Sequence, residues 1–93
     1  DSKNVAVFDL DKVNFPLVIR KWQTGEYFCP LGMKGLKKLS DFFIDEKISI
    51  PEKENTWVLA SDNKIMWVIG MRIDHRFKVT RTTKLILKLK IES

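Results

Sequence analysis

The sequence predicts a strand-rich α+β domain, a small sandwich or barrel with one main helix packed on it. Short apolar segments recur along the chain and end at Gly, Pro or polar turn residues. One segment alone has its apolar residues at helical spacing. The length of 93 residues fits one domain, so we assign residues 1–93 to a single unit in which residues 1–14 form a lead-in strand or linker.

The first half of the chain contains three candidate strands. VAVFDL is short and apolar, and LVIRKW follows Pro16 with side chains alternating between two faces. The turn signal QTGE separates LVIRKW from YFC, which ends at Pro30. We therefore expect LVIRKW and YFC to form a hairpin.

The predicted helix runs from Leu36 to about Glu46. Leu36, Leu39 and Phe43 follow the spacing of one helical face, and Phe42 widens that apolar stripe. The polar segment PEKENT comes next, and we expect it to form a loop.

The second half predicts another hairpin and a terminal strand. WVLA and IMWVIG flank the turn signal SDNK, and RFKVT is a further candidate strand. In LILKLKI, apolar residues alternate with mostly basic ones, which predicts a half-buried strand with a basic outer face. The whole pattern gives six or seven short strands and one helix.

Basic residues are concentrated in two places, and the net charge is +5. One group is Lys34, Lys37 and Lys38; the other contains seven basic residues between positions 71 and 90, namely Arg72, Arg76, Lys78, Arg81, Lys84, Lys88 and Lys90. If the two groups converge in space, they form a face suited to phosphates. For the last three lysines, the solvated face of an edge strand is an alternative interpretation. For Lys34, Lys37 and Lys38, the residue pattern leaves a functional and a structural role equally open.

The sequence offers little that could carry catalysis, and we assign no catalytic residue and no metal site. Cys29 and His75 are its single thiol and imidazole, and a lone cysteine in a candidate strand is typical of a small buried hydrophobe. Asp74 beside His75 supplies too few ligands for zinc. No Walker-type glycine loop occurs in the sequence.

Composition favours a reducing, cytoplasmic location without membrane insertion. One cysteine cannot form an internal disulfide, and no apolar run approaches the roughly 18–20 residues that cross a bilayer. The chain begins at Asp1 without methionine, which is typical of a domain taken from a longer protein. Trp22, Trp57 and Trp67 lie in or beside apolar segments, so we expect them in the core and not in base stacking.

Two long motifs add a family resemblance. FPLVIRKWQTGEYFCPLGMKGLKKLSDFFIDEKI and IMWVIGMRIDHRFKVT together cover most of the chain between about Phe15 and Leu89. In order and spacing, they closely resemble the C-terminal domain of bacterial tRNA(Ile)-lysidine synthetases. That domain is similar in fold to a module of the phenylalanyl-tRNA synthetase β-chain, which agrees with the strand-rich prediction.

The resemblance implies that this chain binds RNA and leaves the chemistry to another domain. Enzymes of that family use ATP and magnesium in an N-terminal PP-loop domain to join lysine to the wobble cytidine of tRNA(Ile), while the C-terminal domain binds the tRNA acceptor region. Partners are then the tRNA acceptor region and the rest of the parent chain, with no cofactor in this fragment. The positions matching the basic motifs are Lys34, Lys37, Lys38, Arg72, Arg76 and Lys78.

One segment and one residue depart from the family pattern. The segment SIPEKENTW replaces one that is often rich in arginine and proline, and His75 replaces a commonly acidic residue. The alternative to an RNA-binding role is a structural or protein-interaction domain without RNA binding, and a third hypothesis is a small enzyme that uses Cys29 and His75.

Overall fold

The structure, a computed structural model, describes residues 2–92. Asp1 and Ser93, which the single-domain assignment includes, lie outside the described residues. The strands are β1 Val5–Asp9, β2 Leu17–Lys21, β3 Tyr27–Phe28, β4 Lys37–Lys38, β5 Trp57–Ser61, β6 Lys64–Val68, β7 Arg72–Ile73 and β8 Ile86–Lys90; the α-helices are α1 Leu39–Asp45 and α2 Ile50–Glu54; and short 3-10 turns span Ser2–Asn4, Leu10–Lys12 and His75–Phe77. The helices within residues 2–92 are too short or too polar to span a bilayer.

The strands form one central antiparallel sheet and two small ribbons. The central sheet has the order β2-β5-β6-β7, and the ribbons are β1-β8 and β3-β4. The β5-β6 hairpin turns at Asp62 and Asn63, whose φ angles of 49° and 67° suit the tight turns that follow the twist of a hairpin. This hairpin and the strands VAVFDL and LILKLKI confirm their sequence predictions.

Two apolar clusters lie against the central sheet. Leu59 and Trp67 are paired across β5 and β6 and belong to one cluster; their neighbours Val58 and Val68 are also paired and belong to the other. Successive strand residues face opposite sides of a sheet, so the two clusters occupy its two faces. The β1-β8 ribbon packs on the first face, and α1 packs on the second through Leu39, Phe42 and Phe43. This arrangement confirms the predicted strand-rich α+β fold with one main helix.

The main helix is shorter than the sequence predicts. It begins at Leu39, and Leu36, which has suitable spacing, is 61% exposed and lies outside the core. Lys37 and Lys38 instead form β4, paired with Tyr27 and Phe28. A long-range strand pairing therefore replaces the first predicted turn of the helix.

The predicted loop PEKENT lies largely in a second helix. Ser49 accepts a hydrogen bond from the backbone N–H of Glu52, and the Glu52 carboxylate accepts one from the backbone N–H of Ser49. This reciprocal pair is a capping box, and Pro51 lies in the first turn where its missing N–H costs nothing. The signal was present in the sequence as Ser49 followed three residues later by Glu52.

Three further predictions are wrong in their details. LVIRKW pairs with β5 and not with YFC, because YFC contributes Tyr27 and Phe28 to the ribbon with β4. RFKVT is not a strand, since its first residues belong to the 3-10 turn His75–Phe77. Of the three tryptophans expected in the core, Trp67 is buried, Trp22 is half-buried and Trp57 is 46% exposed.

Candidate nucleic-acid interface

The loop of residues 30–36, with the sequence PLGMKGL, is fixed against the edge of the central sheet. The backbone N–H of Leu31 donates to the carbonyl of Ile73 over 3.0 Å, and Pro30 forms an isolated bridge with Asp74. Gly32 and Gly35 have φ angles of 88° and 81°, a region that side-chain-bearing residues rarely adopt. These contacts place Lys34 on a shaped loop beside β7.

Asp74 is the buried carboxylate that joins this loop to the segment after β7. Its side chain is 0% exposed. It accepts hydrogen bonds from the backbone N–H of Cys29 at 2.8 Å and of Arg76 at 2.7 Å. The Arg76 side chain adds Nε at 3.0 Å and Nη2 at 2.9 Å. A buried carboxylate needs such a set of donors, so Asp74 is satisfied where it lies.

Arg76, a predicted RNA-binding residue, is therefore committed to an internal ion pair. Its hydrogen bonds to Asp74 raise the pKa of the guanidinium, against the opposing effect of burial. Breaking a pair in which one partner is buried leaves an uncompensated charge. The contact of Arg76 with Asp74 is therefore structural, and the Arg76 side chain remains 37% exposed.

Lys37 and Arg72 converge on the C-terminal end of α1. Lys37 Nζ lies 2.5 Å from Asp45, and Arg72 Nη2 lies 3.4 Å from Glu46. The Arg72 guanidinium also lies 5.3 Å from the ring centre of Phe42. Surface ion pairs of this kind contribute about 0–1 kcal/mol, so phosphate oxygens can compete with these carboxylates for both cations.

The remaining three predicted residues have no ion-pair partner within residues 2–92: Lys34, Lys38 and Lys78. Lys34 and Lys38 are exposed, and Lys78 is half-buried after the 3-10 turn. Lys38 is opposite Tyr27 in the β3-β4 ribbon. Within the described part of the chain, no hydrogen bond or ion pair joins Lys78 to the other five predicted residues. The structure thus places Lys34, Lys37 and Lys38 on one continuous segment beside Arg72 and does not tie Lys78 to them.

A second basic surface lies on the outer face of the β1-β8 ribbon. Lys88 and Lys90 are exposed on alternate positions of β8, opposite Val7 and Val5 of β1. Since β8 has one strand neighbour, β1, it is an edge strand, as the sequence interpretation of its lysines expected. Exposed lysines on such an edge discourage association with other strands.

Sequence reasoning missed the ion pair between Arg20 and Glu26. The two side chains form a bidentate pair with distances of 3.0 and 2.6 Å. Burial alone would raise the pKa of Glu26, but hydrogen bonds from Arg20 and from the backbone of Gln23, with the guanidinium charge, lower it. The carbonyl of Glu26 accepts the backbone N–H of Leu39 over 2.9 Å. The pair therefore helps position the start of α1, although the sequence indicated only the turn at Gly25.

Cys29 and His75 meet through their backbones. The N–H of His75 donates to the carbonyl of Cys29 over 2.6 Å, but no hydrogen bond joins the thiol to the imidazole within residues 2–92. The Cys29 thiol is buried and lies 4.0 Å from the carbonyl of Met33. His75 Nδ1 is buried and has no hydrogen-bond partner among the described residues. Nothing in this geometry activates the thiol as a nucleophile, and Cys29 is the buried small residue that the sequence predicts.

The fold and the basic loop define a class of small basic α+β domains that carry lysines on a loop fixed to a sheet edge. Residues 17–90 match the family model described as the TilS substrate C-terminal domain. The chain belongs to this family, which confirms the resemblance found in its motifs.

Two bacterial relatives agree with this assignment. The chain is similar to the tRNA(Ile)-lysidine synthase of Parabacteroides distasonis, with 51% identity over 92% of this chain and 20% of the relative. It is also similar to that of Bacteroides thetaiotaomicron, with 48% identity over 97% of this chain and 21% of the relative. The chain thus spans about a fifth of the length of these relatives.

Two solved structures resemble the fold. A crystal structure of a TilS C-terminal domain matches with a TM-score of 0.74 and 25% identity, over 98% of this chain and 73% of that one. An N-terminal fragment of the phenylalanyl-tRNA synthetase β-subunit from Pyrococcus horikoshii also matches with a TM-score of 0.74, at 22% identity, over 90% of this chain and 26% of that one. The second match shows a shared fold, as the sequence resemblance implied.

Proposed function

We propose that this chain is the tRNA-recognition domain of a tRNA(Ile)-lysidine synthase and binds the acceptor region of tRNA(Ile). The observation that carries the proposal is the loop of residues 30–36, fixed against β7 by the Leu31 to Ile73 hydrogen bond and followed directly by Lys37 and Lys38. A segment fixed in this way presents its cations without the cost of ordering a flexible loop.

The charges of the site support phosphate binding. Lys34 and Lys38 have no ion pair within residues 2–92, and Lys37 and Arg72 are held only by partly exposed carboxylates. Cations placed this way release counterions when they contact phosphates, so affinity falls with salt. Arg76 supports the loop through Asp74, and its 37% exposed side chain keeps N–H groups that can reach a phosphate.

The chemistry of the parent enzyme belongs to a part of it outside this chain. We assign ATP and magnesium to a PP-loop domain that ligates lysine to the wobble cytidine, and we assign no catalytic residue here. The rest of the parent chain and the tRNA are the partners, in the cytoplasm. Residues 1–93 serve as one domain that holds the acceptor region while the anticodon is modified elsewhere.

The experiment compares two RNA hairpins with the 93-residue chain, one with the acceptor-stem sequence of tRNA(Ile) and one with its anticodon-stem sequence. We expect the acceptor hairpin to bind more tightly, because base-edge and shape contacts add to the phosphate contacts. Changing Lys34 and Lys38 to Gln weakens binding of both hairpins, whereas the matched pair Lys64→Gln and Lys84→Gln, two exposed lysines outside the loop, leaves it unchanged. Equal affinity for the two hairpins would contradict acceptor recognition.

One observation favours the second candidate, a protein-interaction domain without RNA binding. The edge strand β2 has Val18 and Ile19 exposed at 48% and 56%, and edge strands with exposed apolar residues can pair with another chain. This candidate predicts no salt-dependent binding of either hairpin.

A further inference from the structure

An open cleft lies beside the loop of residues 30–36, between the β1-β8 ribbon and β7. Its volume is about 270 Å³, and its lining includes Lys3, Val7, Leu31, Arg72 and Ile73. Within residues 2–92, the one strand that pairs with β1 is β8, and the outer edge of β7 is bonded to the loop through Leu31 and Ile73. The cleft occupies the place where the two sheets approach each other without pairing.

The interior of the cleft is mostly apolar. Ala6 and Trp67 are almost fully buried members of the first core cluster, while Val7 and Leu31 are each 39% exposed. The Leu31 to Ile73 hydrogen bond of 3.0 Å connects two of the lining residues. The cleft is therefore held by the same contact that fixes the basic loop.

Among residues 2–92, the lining contains two cations, Lys3 and Arg72, and no acidic residue. Arg72 is also one of the cations of the candidate interface, because it reaches Glu46 and the ring of Phe42 on α1. The cleft is thus continuous with the proposed RNA-binding surface. An apolar interior with cations and no carboxylate suits a flat heterocycle attached to an anion.

We propose that this cleft accepts one unpaired nucleobase of the bound RNA, with its phosphate beside Lys3 and Arg72. The inference rests on the proposed tRNA-binding function and names the part of the RNA that the domain reads. An acceptor region ends in an unpaired strand, whose bases are free to leave the stack and pack on protein side chains. Pockets for drug-sized ligands have volumes from about 300 Å³, so a cleft of about 270 Å³ suits a group no larger than one base.

The test measures binding of the 93-residue chain to three acceptor-stem hairpins: one blunt, one with a single-stranded extension at its 3′ end, and one with the same extension lacking its bases. The third RNA has the charge of the second, so the difference between them isolates the base. We expect the bases of the extension to tighten binding about fivefold, the gain from burying roughly 40 Å² of apolar surface.

A matched pair of variants locates the effect. Val7→Trp fills the cleft from its wall, and Val18→Trp makes the same change on the exposed edge strand β2, away from the cleft lining. Val7→Trp removes the advantage of the extension and keeps affinity for the blunt hairpin, while Val18→Trp keeps both. The base-free RNA is measured with the unaltered chain, so it tests for a bound base even if Val7→Trp does not fold.

The outcomes separate this inference from the proposed function. Equal binding of the intact and base-free extensions, with the blunt hairpin still bound, overturns the base pocket and leaves RNA recognition in place. Loss of the advantage in Val18→Trp as much as in Val7→Trp also overturns the pocket. Failure of every hairpin to bind overturns the proposed function and the pocket together.

Discussion

Replacing Asp74 with Asn removes the charge that holds the loop of residues 30–36, Arg76 and the end of β7 together. The carboxylate accepts two backbone N–H groups and two guanidinium N–H groups at 2.7–3.0 Å. An amide keeps one acceptor oxygen and turns an NH₂ group towards donors. Arg76 is 37% exposed and can be solvated, so the cost lies in the buried donors left without an acceptor, about 1–3 kcal/mol, against a total of about 5–14 kcal/mol for a chain of this length.

Thermal unfolding followed by circular dichroism measures this loss. Each kcal/mol shifts the midpoint of a domain of this size by about 4–8 °C, so Asp74→Asn should lower it by at least about 4 °C. The matched control is Asp62→Asn at the exposed turn of the β5-β6 hairpin, where we expect a change within about 0.5 kcal/mol. Equal midpoints for the two variants would refute the assignment of Asp74 as a structural anchor.

Two further predictions test the elements that position the interface. The pKa of Glu26 is lowered in the folded chain. Its pair with Arg20 therefore stabilises the fold fully at a pH above the ordinary carboxyl pKa of about 4.3. This contribution is lost as the pH falls through the lowered pKa. Glu26→Gln should therefore flatten the acid limb of a stability-versus-pH curve, and an unchanged limb would contradict the pair. Leu39→Ala should lower the free energy of unfolding in urea by about 2–5 kcal/mol, because it opens a core cavity. Leu36→Ala, at an exposed position, should change it by less than about 0.5 kcal/mol. Equal losses would show that Leu36 also packs in the core.

Local patterns in the sequence predicted the elements whose partners lie nearby. The β5-β6 hairpin was readable because Asp62 and Asn63 lie between two apolar segments. The start of α1 was not readable, since Leu36 has helical spacing but its neighbours Lys37 and Lys38 pair with Tyr27 and Phe28. That pairing is a long-range contact that no window of local sequence contains.

The features of the candidate site were also predictable from sequence only where they are local. The clustering of Lys34, Lys37 and Lys38 is visible in sequence because they are close along the chain. The commitment of Arg76 to Asp74 was hidden, because a neighbouring Asp and Arg look the same whether the carboxylate is buried or exposed. The cleft was also hidden, since its walls come from β1, the loop of residues 30–36 and β7, which are far apart in sequence.

The salt dependence of binding to the acceptor hairpin tests the lysine loop most directly. Each lost phosphate contact reduces the slope of log affinity against log salt by about 0.7–0.9. The double variant Lys34→Gln and Lys38→Gln should therefore bind more weakly than the original chain, with a slope smaller by about 1.4–1.8. The pair Lys64→Gln and Lys84→Gln removes the same charge from exposed positions outside the loop and should keep the original slope. Identical slopes for the original chain and the loop variant would contradict phosphate contact by the loop.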